Sequence, residues 1–385
     1  MTKTYFLTAI CSLLSLTACH DGEGETVEST YMLPIEQVPD YKYSRSGLST
    51  VDQWECAMNQ KAATYIYESF LQKAYLHDDD DMQRLKEAFE EGQNAAHLSQ
   101  QVAETVPEAT RQLILQDFQQ LFDDTRALGQ HTYQPAAEAT PGYIGYSAGD
   151  NSRSFANADG IIPAEVFNGM ITGTIYLNKI MNKHLTTANF DNENLRNAHR
   201  DLQIGPGNSY TELEHHWDLA YGYFNNMKAI TQSEGIALLK NRERKLYEAF
   251  AWGRYALGHY DYKLLKEKMD FIRKDLSQIV AARAMYLLIG PNTMANIESK
   301  NPQNAFFFIS QAYGLVYALQ FCCDMNGQPA YSYEEIKSLL QLFKDDKGLW
   351  NIERLKADST TKGSLQYIVM AIGNKFGITL DQLIR

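Results

Sequence analysis

The stretch Leu113-Ile114-Leu115-Gln116-Asp117-Phe118-Gln119-Gln120-Leu121-Phe122-Asp123-Asp124-Thr125-Arg126-Ala127-Leu128 decides the fold class. Leu113, Ile114, Phe118, Leu121, Phe122 and Leu128 recur at i, i+3 and i+4, the spacing that gathers side chains on one face of an α-helix. Pro107 stands before the run and Gly129 stops it. Stripes of the same period run through 54–76, 163–185, 209–230, 233–257, 261–289, 302–323, 332–343 and 362–376. Period-two alternation, the mark of a half-buried strand, is nearly absent. The expectation is an all-α protein, a helical bundle of about nine substantial helices. Pro163 and Pro302 sit at first-turn positions, and Ser332 with Glu335 fits a capping box. Gly169 and Gly173 share a helical face, which reads as close helix packing.

The stretch 131–162 interrupts this pattern. It is rich in Pro, Gly, Ala, Ser, Asn and Asp, and it is longer than an ordinary connection. It reads as a loop over a site or as a linker, so 41–385 is either one helical domain or two packed halves divided there. Residues 19–40 read as an acidic, glycine-containing tether followed by a strap.

Composition narrows the function classes. The chain carries 47 acidic and 35 basic residues, without a basic stripe of the kind that neutralises phosphates, which argues against nucleic acid as a partner. At 44% hydrophobic and 12% aromatic residues, the chain can bury a large core. Residues 5–16 are mostly apolar behind Lys3 and too short to span a bilayer. The following Leu16-Thr17-Ala18-Cys19 resembles a bacterial lipoprotein signal. The resemblance implies a signal peptide over 1–18, lipidation of Cys19 and a chain hung from a membrane by acyl groups. Removing 1–18 removes only Lys3, so the mature formal charge is −13. Cys56, Cys322 and Cys323 remain; they read as buried thiols more readily than as a zinc site, although one disulfide is possible.

The densest run of metal-capable groups is Tyr210-Thr211-Glu212-Leu213-Glu214-His215-His216-Trp217-Asp218. Glu212 with His216, Glu212 with His215, and His215 with Asp218 each share a helical face. Imidazole and carboxylate at that spacing suit iron, zinc or copper, so Glu212, Glu214, His215, His216 and Asp218 are the candidate ligands. A structural reading stands beside this one. Thr211 with Glu214, or Ser209 with Glu212, fits a capping box, and acidic residues in a first turn stabilise a helix without any ligand. Trp217 reads as core, and Arg254 as an ion-pair partner for a buried carboxylate such as Asp218. His77-Asp78-Asp79-Asp80-Asp81 lacks the glycine and the final glutamate of a calcium loop and reads as a solvated helix start. No catalytic residue can be assigned.

Tyr210 to Phe224, with Tyr43-Ser44-Arg45-Ser46-Gly47-Leu48-Ser49-Thr50-Val51-Asp52, Tyr255-Ala256-Leu257-Gly258 and Leu349-Trp350-Asn351-Ile352, resembles the bacterial lipoprotein family of domain of unknown function 4856. The signature there usually reads Trp-Asp-Glu-Ala, whereas Leu219 takes the glutamate position here. The resemblance implies a cell-envelope protein, with the outer membrane favoured and a periplasmic or surface-facing body. It also implies a setting beside imelysin-type lipoproteins or an outer-membrane uptake receptor. Expected functions are binding of iron, haem or another transition metal, a metal-dependent hydrolase of imelysin-like type, or glycan or partner binding with structural histidines. Binding is preferred over catalysis.

Overall fold

Each of the nine apolar stripes contains a helix in the computed structural model, which describes residues 38–73, 79–92, 96–131, 133–145, 154–233 and 235–383. The signal segment, Cys19, the tether, His77, Asp78 and the middle of the 131–162 stretch lie outside the described residues. In chain order the helices are α1 (Trp54–Ile66), α2 (Asp79–Glu90), α3 (Leu98–Gln101), α4 (Glu108–Gly129), α5 (Pro163–Ile171), α6 (Thr187–Phe190), α7 (Glu193–Arg200), α8 (Glu212–Asn226), α9 (Arg242–Gly258), α10 (Tyr262–Ile289), α11 (Pro291–Ile297), α12 (Phe306–Ala318), α13 (Tyr333–Lys344), α14 (Ile352–Lys356) and α15 (Leu365–Phe376). The fold is all-α, and the six helices beyond the nine stripes are mostly short. No described helix is long and apolar enough to cross a membrane.

The caps follow from the side chains. The Ser332 and Thr211 hydroxyls accept the backbone N–H three residues on, and Glu335 and Glu214 return the bond. Pro163 opens α5. In α4 the stripe buries Ile114, Phe118, Leu121, Phe122 and Leu128, but Leu113 sits at its edge and is exposed.

Two short ribbons are the departure from the helical expectation. β1 (Ser44–Arg45) pairs antiparallel with β2 (Leu48–Ser49), and β3 (Gly142–Ile144) with β4 (Ser154–Ala156). Ser46 and Gly47 both take positive φ, the two-residue turn whose twist suits a hairpin. Pairs this short leave no periodic signal in sequence. The described part of 131–162 therefore contains a ribbon, and its second half is sewn to the bundle. Leu349 N–H donates to the Asp159 carbonyl and the Trp350 indole to the Ala158 carbonyl.

The long helix α10 packs against α9, α12 and α15, and α12 packs against α5. A Cβ on Gly314 would lie 2.6 Å from the Val166 carbonyl oxygen, so α5 and α12 cross with their backbones in contact at Gly169 and Gly314. Buried apolar side chains form one continuous cluster from Cys56 to Leu383, with Leu128 and Phe155 as a small satellite. Cys56, Cys322 and Cys323 are buried free thiols.

Candidate functional site

Helix α8 sends its five candidate ligands to three different places. Glu214 closes the capping box, its Oε2 accepting the Thr211 N–H at 2.8 Å, and takes two donors from the Arg45 guanidinium at 3.1 and 3.0 Å. Arg254 Nη2 approaches it at 3.2 Å. Asp218 has no exposed surface, accepts the Tyr41 hydroxyl at 2.6 Å and lies 3.0 Å from Arg254 Nε. The two buried carboxylates are thus held by guanidinium groups on a side away from the imidazoles. His215 stacks on Tyr210 with ring centroids 4.4 Å apart. His216 meets His184, Nδ1 to Nδ1, at 3.0 Å, and exposed Glu212 approaches His216 Nε2 only to 3.8 Å. Among the described residues, no three His, Cys, Asp or Glu side chains gather closely enough to hold an ion. Trp217 is fully buried, its indole N–H donating to the Phe250 carbonyl at 2.9 Å.

Electrostatics match this division. Burial pushes Asp218 up to about 6, and the Arg254 charge opposes that rise without cancelling it. Burial works to lower the Arg254 guanidinium, but Asp218 and Glu214 more than offset it, so it stays charged. Burial depresses His184 to about 2, with His216, Lys179 and Lys183 adding to the effect, and depresses His216 to about 4, with His215 and Lys183 adding. The pair is therefore neutral, with one Nδ1 donating and the other accepting. His184 Nε2 and His215 Nδ1 are buried without a partner among the described residues.

His184 lies at the end of the 163–185 stripe, and spacing does not mark it as a neighbour of His216. After α5 the chain continues as wider π-helical turns, Thr172–Leu177 and Lys179–His184, a geometry frequent at functional sites. These turns aim Lys179 into the interior, fully buried, where Nζ lies 2.9 Å from Glu55 and 2.5 Å from Glu104. Tyr223 donates to Glu55 at 2.5 Å and receives Asn59 at 2.8 Å. Burial works to raise Glu55, but the charge of Lys179 and the Tyr223 hydrogen bond hold it below the usual carboxylate range. A polar seam thus runs from His216 through His184 and Tyr223 to two ion-paired glutamates, and sequence reasoning found only its first member.

A separate cavity of about 400 Å³ opens between α5, α10 and α12, beside the turn Lys228–Thr231 that follows α8. Its wall includes Glu165, Thr172, Arg283, Tyr286, Phe308 and Gln311. Glu165 accepts Tyr67 at 2.9 Å on one oxygen and Gln311 at 2.8 Å on the other. Burial raises its carboxyl above the ordinary value in spite of both donors. Nothing in the sequence distinguished Glu165 from a first-turn helix acid.

A family model described as Domain of unknown function (DUF4856) matches residues 38–379. The chain belongs to this family. No curated protein and no solved structure matches it. In this member of the DUF4856 family the separated signature pieces interlock. Arg45 of the first grips Glu214 of the second, and Arg254, just before the third, joins Glu214 and Asp218. Tyr43 donates to the Ala251 carbonyl and lies under the Arg254 guanidinium at 4.6 Å. Arg254 also donates to Thr50. Much of the motif thus serves to clamp the hairpin strap onto α8 and α9. Leu219 is buried, its carbonyl accepting the Cys56 thiol.

Proposed function

We propose that this DUF4856 protein is a cell-envelope lipoprotein, anchored through Cys19, that binds a small organic ligand rather than transforming one. The cavity between α5, α10 and α12 carries this reading. Its volume falls in the range of small-molecule sites, about 300–1,000 Å³, and its wall joins a few placed polar groups to aromatic and aliphatic surface. Tyr286 and Phe308 offer faces for a sugar or another ring, and Glu165, Gln311 and Thr172 offer hydrogen bonds. The iron- or haem-acquisition setting, beside an imelysin-type lipoprotein or an uptake receptor, rests on the family resemblance.

Capture of a transition metal is the second reading, favoured by the His184–His216 pair with its buried neutral nitrogens. A hydrolase would require three protein ligands, an open coordination position and a general base. The arrangement of Glu214 and Asp218 against Arg45 and Arg254 favours binding over that chemistry.

The test is mass spectrometry of small molecules released from protein purified from its own envelope, with a Leu315→Trp variant that fills the cavity. A stoichiometric organic molecule lost in the filled variant is expected. An empty wild-type protein, or a molecule retained in the filled variant, refutes the cavity reading. Calorimetric titration of chelator-stripped protein with iron, zinc, copper and haem, beside His184→Ala/His216→Ala, decides the metal reading.

A further inference from the structure

We infer that the ligand of the cavity between α5, α10 and α12 carries a protonated amine whose charge meets the Glu165 carboxylate. The inference rests on the cavity reading above and adds the charge of the ligand. Four acids are buried among the described residues, Glu165, Glu214, Asp218 and Asp275. Three of them have a guanidinium beside them. Glu214 has Arg45 at 3.0 Å and Arg254 at 3.2 Å, Asp218 has Arg254 at 3.0 Å, and Asp275 has Arg242. Glu165, at 6% exposure, has neutral partners alone among the described residues, the Tyr67 hydroxyl and the Gln311 amide. It is also the one of the four that lines this cavity.

Buried charges are kept where something pairs with them. The first turn of α5 accounts for an acid at this position but not for its burial, since a solvated side chain serves the helix dipole equally well. Tyr67, from the π-helical turn after α1, donates to Oε1, and Gln311, from α12, donates to Oε2. An ionised carboxyl offers about four lone-pair sites, so each oxygen keeps one for a ligand. Burial and the Glu165 charge push the Tyr67 hydroxyl well above its ordinary value, so Tyr67 stays a donor. Burial also raises Glu165 in spite of its two donors, and an ammonium beside it would supply the missing charge and reverse that rise.

Arg283 on the same wall is engaged elsewhere. Its Nε donates to the Ile230 carbonyl at 3.1 Å and its Nη2 to the Gln232 carbonyl, and it is not among the groups that act on Glu165. The rest of the wall suits a cation carried on an organic body. Tyr286 and Phe308 present aromatic faces, which attract ammonium groups. Ile230, Leu287 and Leu315 add apolar surface, whereas a hard metal ion needs a shell of oxygen donors. At about 400 Å³ the cavity holds far more than an ammonium ion, so the amine is one end of a larger molecule. The formal net charge of −12 favours the approach of cations.

The test is calorimetric titration of the lipid-free chain from Cys19 onward, dialysed free of small molecules, with benzylamine, benzyl alcohol and benzoate. The three probes share a ring and differ in charge. Wild type is compared with Glu165→Gln and with the filled variant Leu315→Trp. Expected is benzylamine bound more tightly than benzyl alcohol by about tenfold to a hundredfold, the worth of a hydrogen bond to a charged group. That preference should vanish in Glu165→Gln, and all binding should vanish in Leu315→Trp. Unliganded Glu165→Gln should melt at or above wild type, because it loses an uncompensated buried charge, which separates lost recognition from lost folding. Benzyl alcohol or benzoate bound as tightly as benzylamine overturns the inference and leaves the cavity reading standing; this wild-type contrast needs no variant. Benzylamine bound equally by wild type and Glu165→Gln also overturns it. Binding of none of the probes overturns it as well, while the molecule released from envelope-purified protein judges the cavity reading separately.

Discussion

Replacing Arg254 by methionine removes the one cation placed between two buried carboxylates. The guanidinium lies 3.0 Å from Asp218 and 3.2 Å from Glu214, and the Arg254 and Asp218 side chains are almost fully buried. Glu214 keeps Arg45 and its capping bond, so the loss falls mainly on Asp218, which keeps only the Tyr41 hydroxyl. Removing one partner of a buried pair costs about 3–5 kcal/mol. At roughly 2.1 cal/mol/K of unfolding entropy per residue, a domain of about 340 residues loses about 4–7 °C in melting temperature. The sign of the pH dependence follows from Asp218, whose folded value of about 6 lies above its ordinary 3.8. Between those values the folded state holds the proton that the unfolded state has released, so this group's contribution falls as pH rises through that window. Without Arg254 the folded value rises further, and the deficit relative to wild type should be larger near about pH 7.5 than near about pH 5. Calorimetric melts of both proteins at each pH test this, and comparison at equal pH removes contributions shared by the two. A variant that melts with wild type at neutral pH, or whose deficit grows on acidification, would falsify the reasoning.

Gly253→Ala should destabilise by about 1–3 kcal/mol, because the added Cβ would meet the buried Trp217 indole, 2.8 Å from its Cε2. An unchanged melt with unchanged tryptophan emission would show that α8 and α9 are not packed as described. The His184–His216 pair has folded values of about 2 and about 4, below the ordinary 6.5. Its contribution is therefore complete above 6.5 and is lost as pH falls through about 4. His184→Phe/His216→Leu should flatten the acid side of the stability profile, and nitrogen NMR should show both wild-type rings neutral near about pH 6; charged rings there would contradict the burial argument.

The candidate site was legible only in part. The 210–218 run marks a real crossing point, and the capping of α8 by Thr211 and Glu214 can be read from residue type and spacing because it is local. Glu214 and Asp218 share a helix with His215 and His216, so the sequence groups all four. Their separation depends on Arg45, Tyr41 and Arg254, which come from two other segments. His184 comes from another turn of the chain, 32 residues before His216, and no spacing rule joins them. Glu165 gains its character only from burial beside Tyr67 and Gln311.

By itself the sequence determined the all-α class and the positions of nine helices, since a 3.6-residue period and a cap are properties of neighbouring residues. It also marked Gly169 as a place of close helix approach, because an absent side chain permits contact whatever the partner is. Tertiary structure alone decided that Gly314 is that partner, that the strap arginine claims the α8 glutamate, and that His216 faces His184. It also opened a cavity between helices far apart in the chain. Local order follows from interactions within a turn or two. The identity of a distant neighbour, and with it the charge state of a buried group, is set only when the whole core closes.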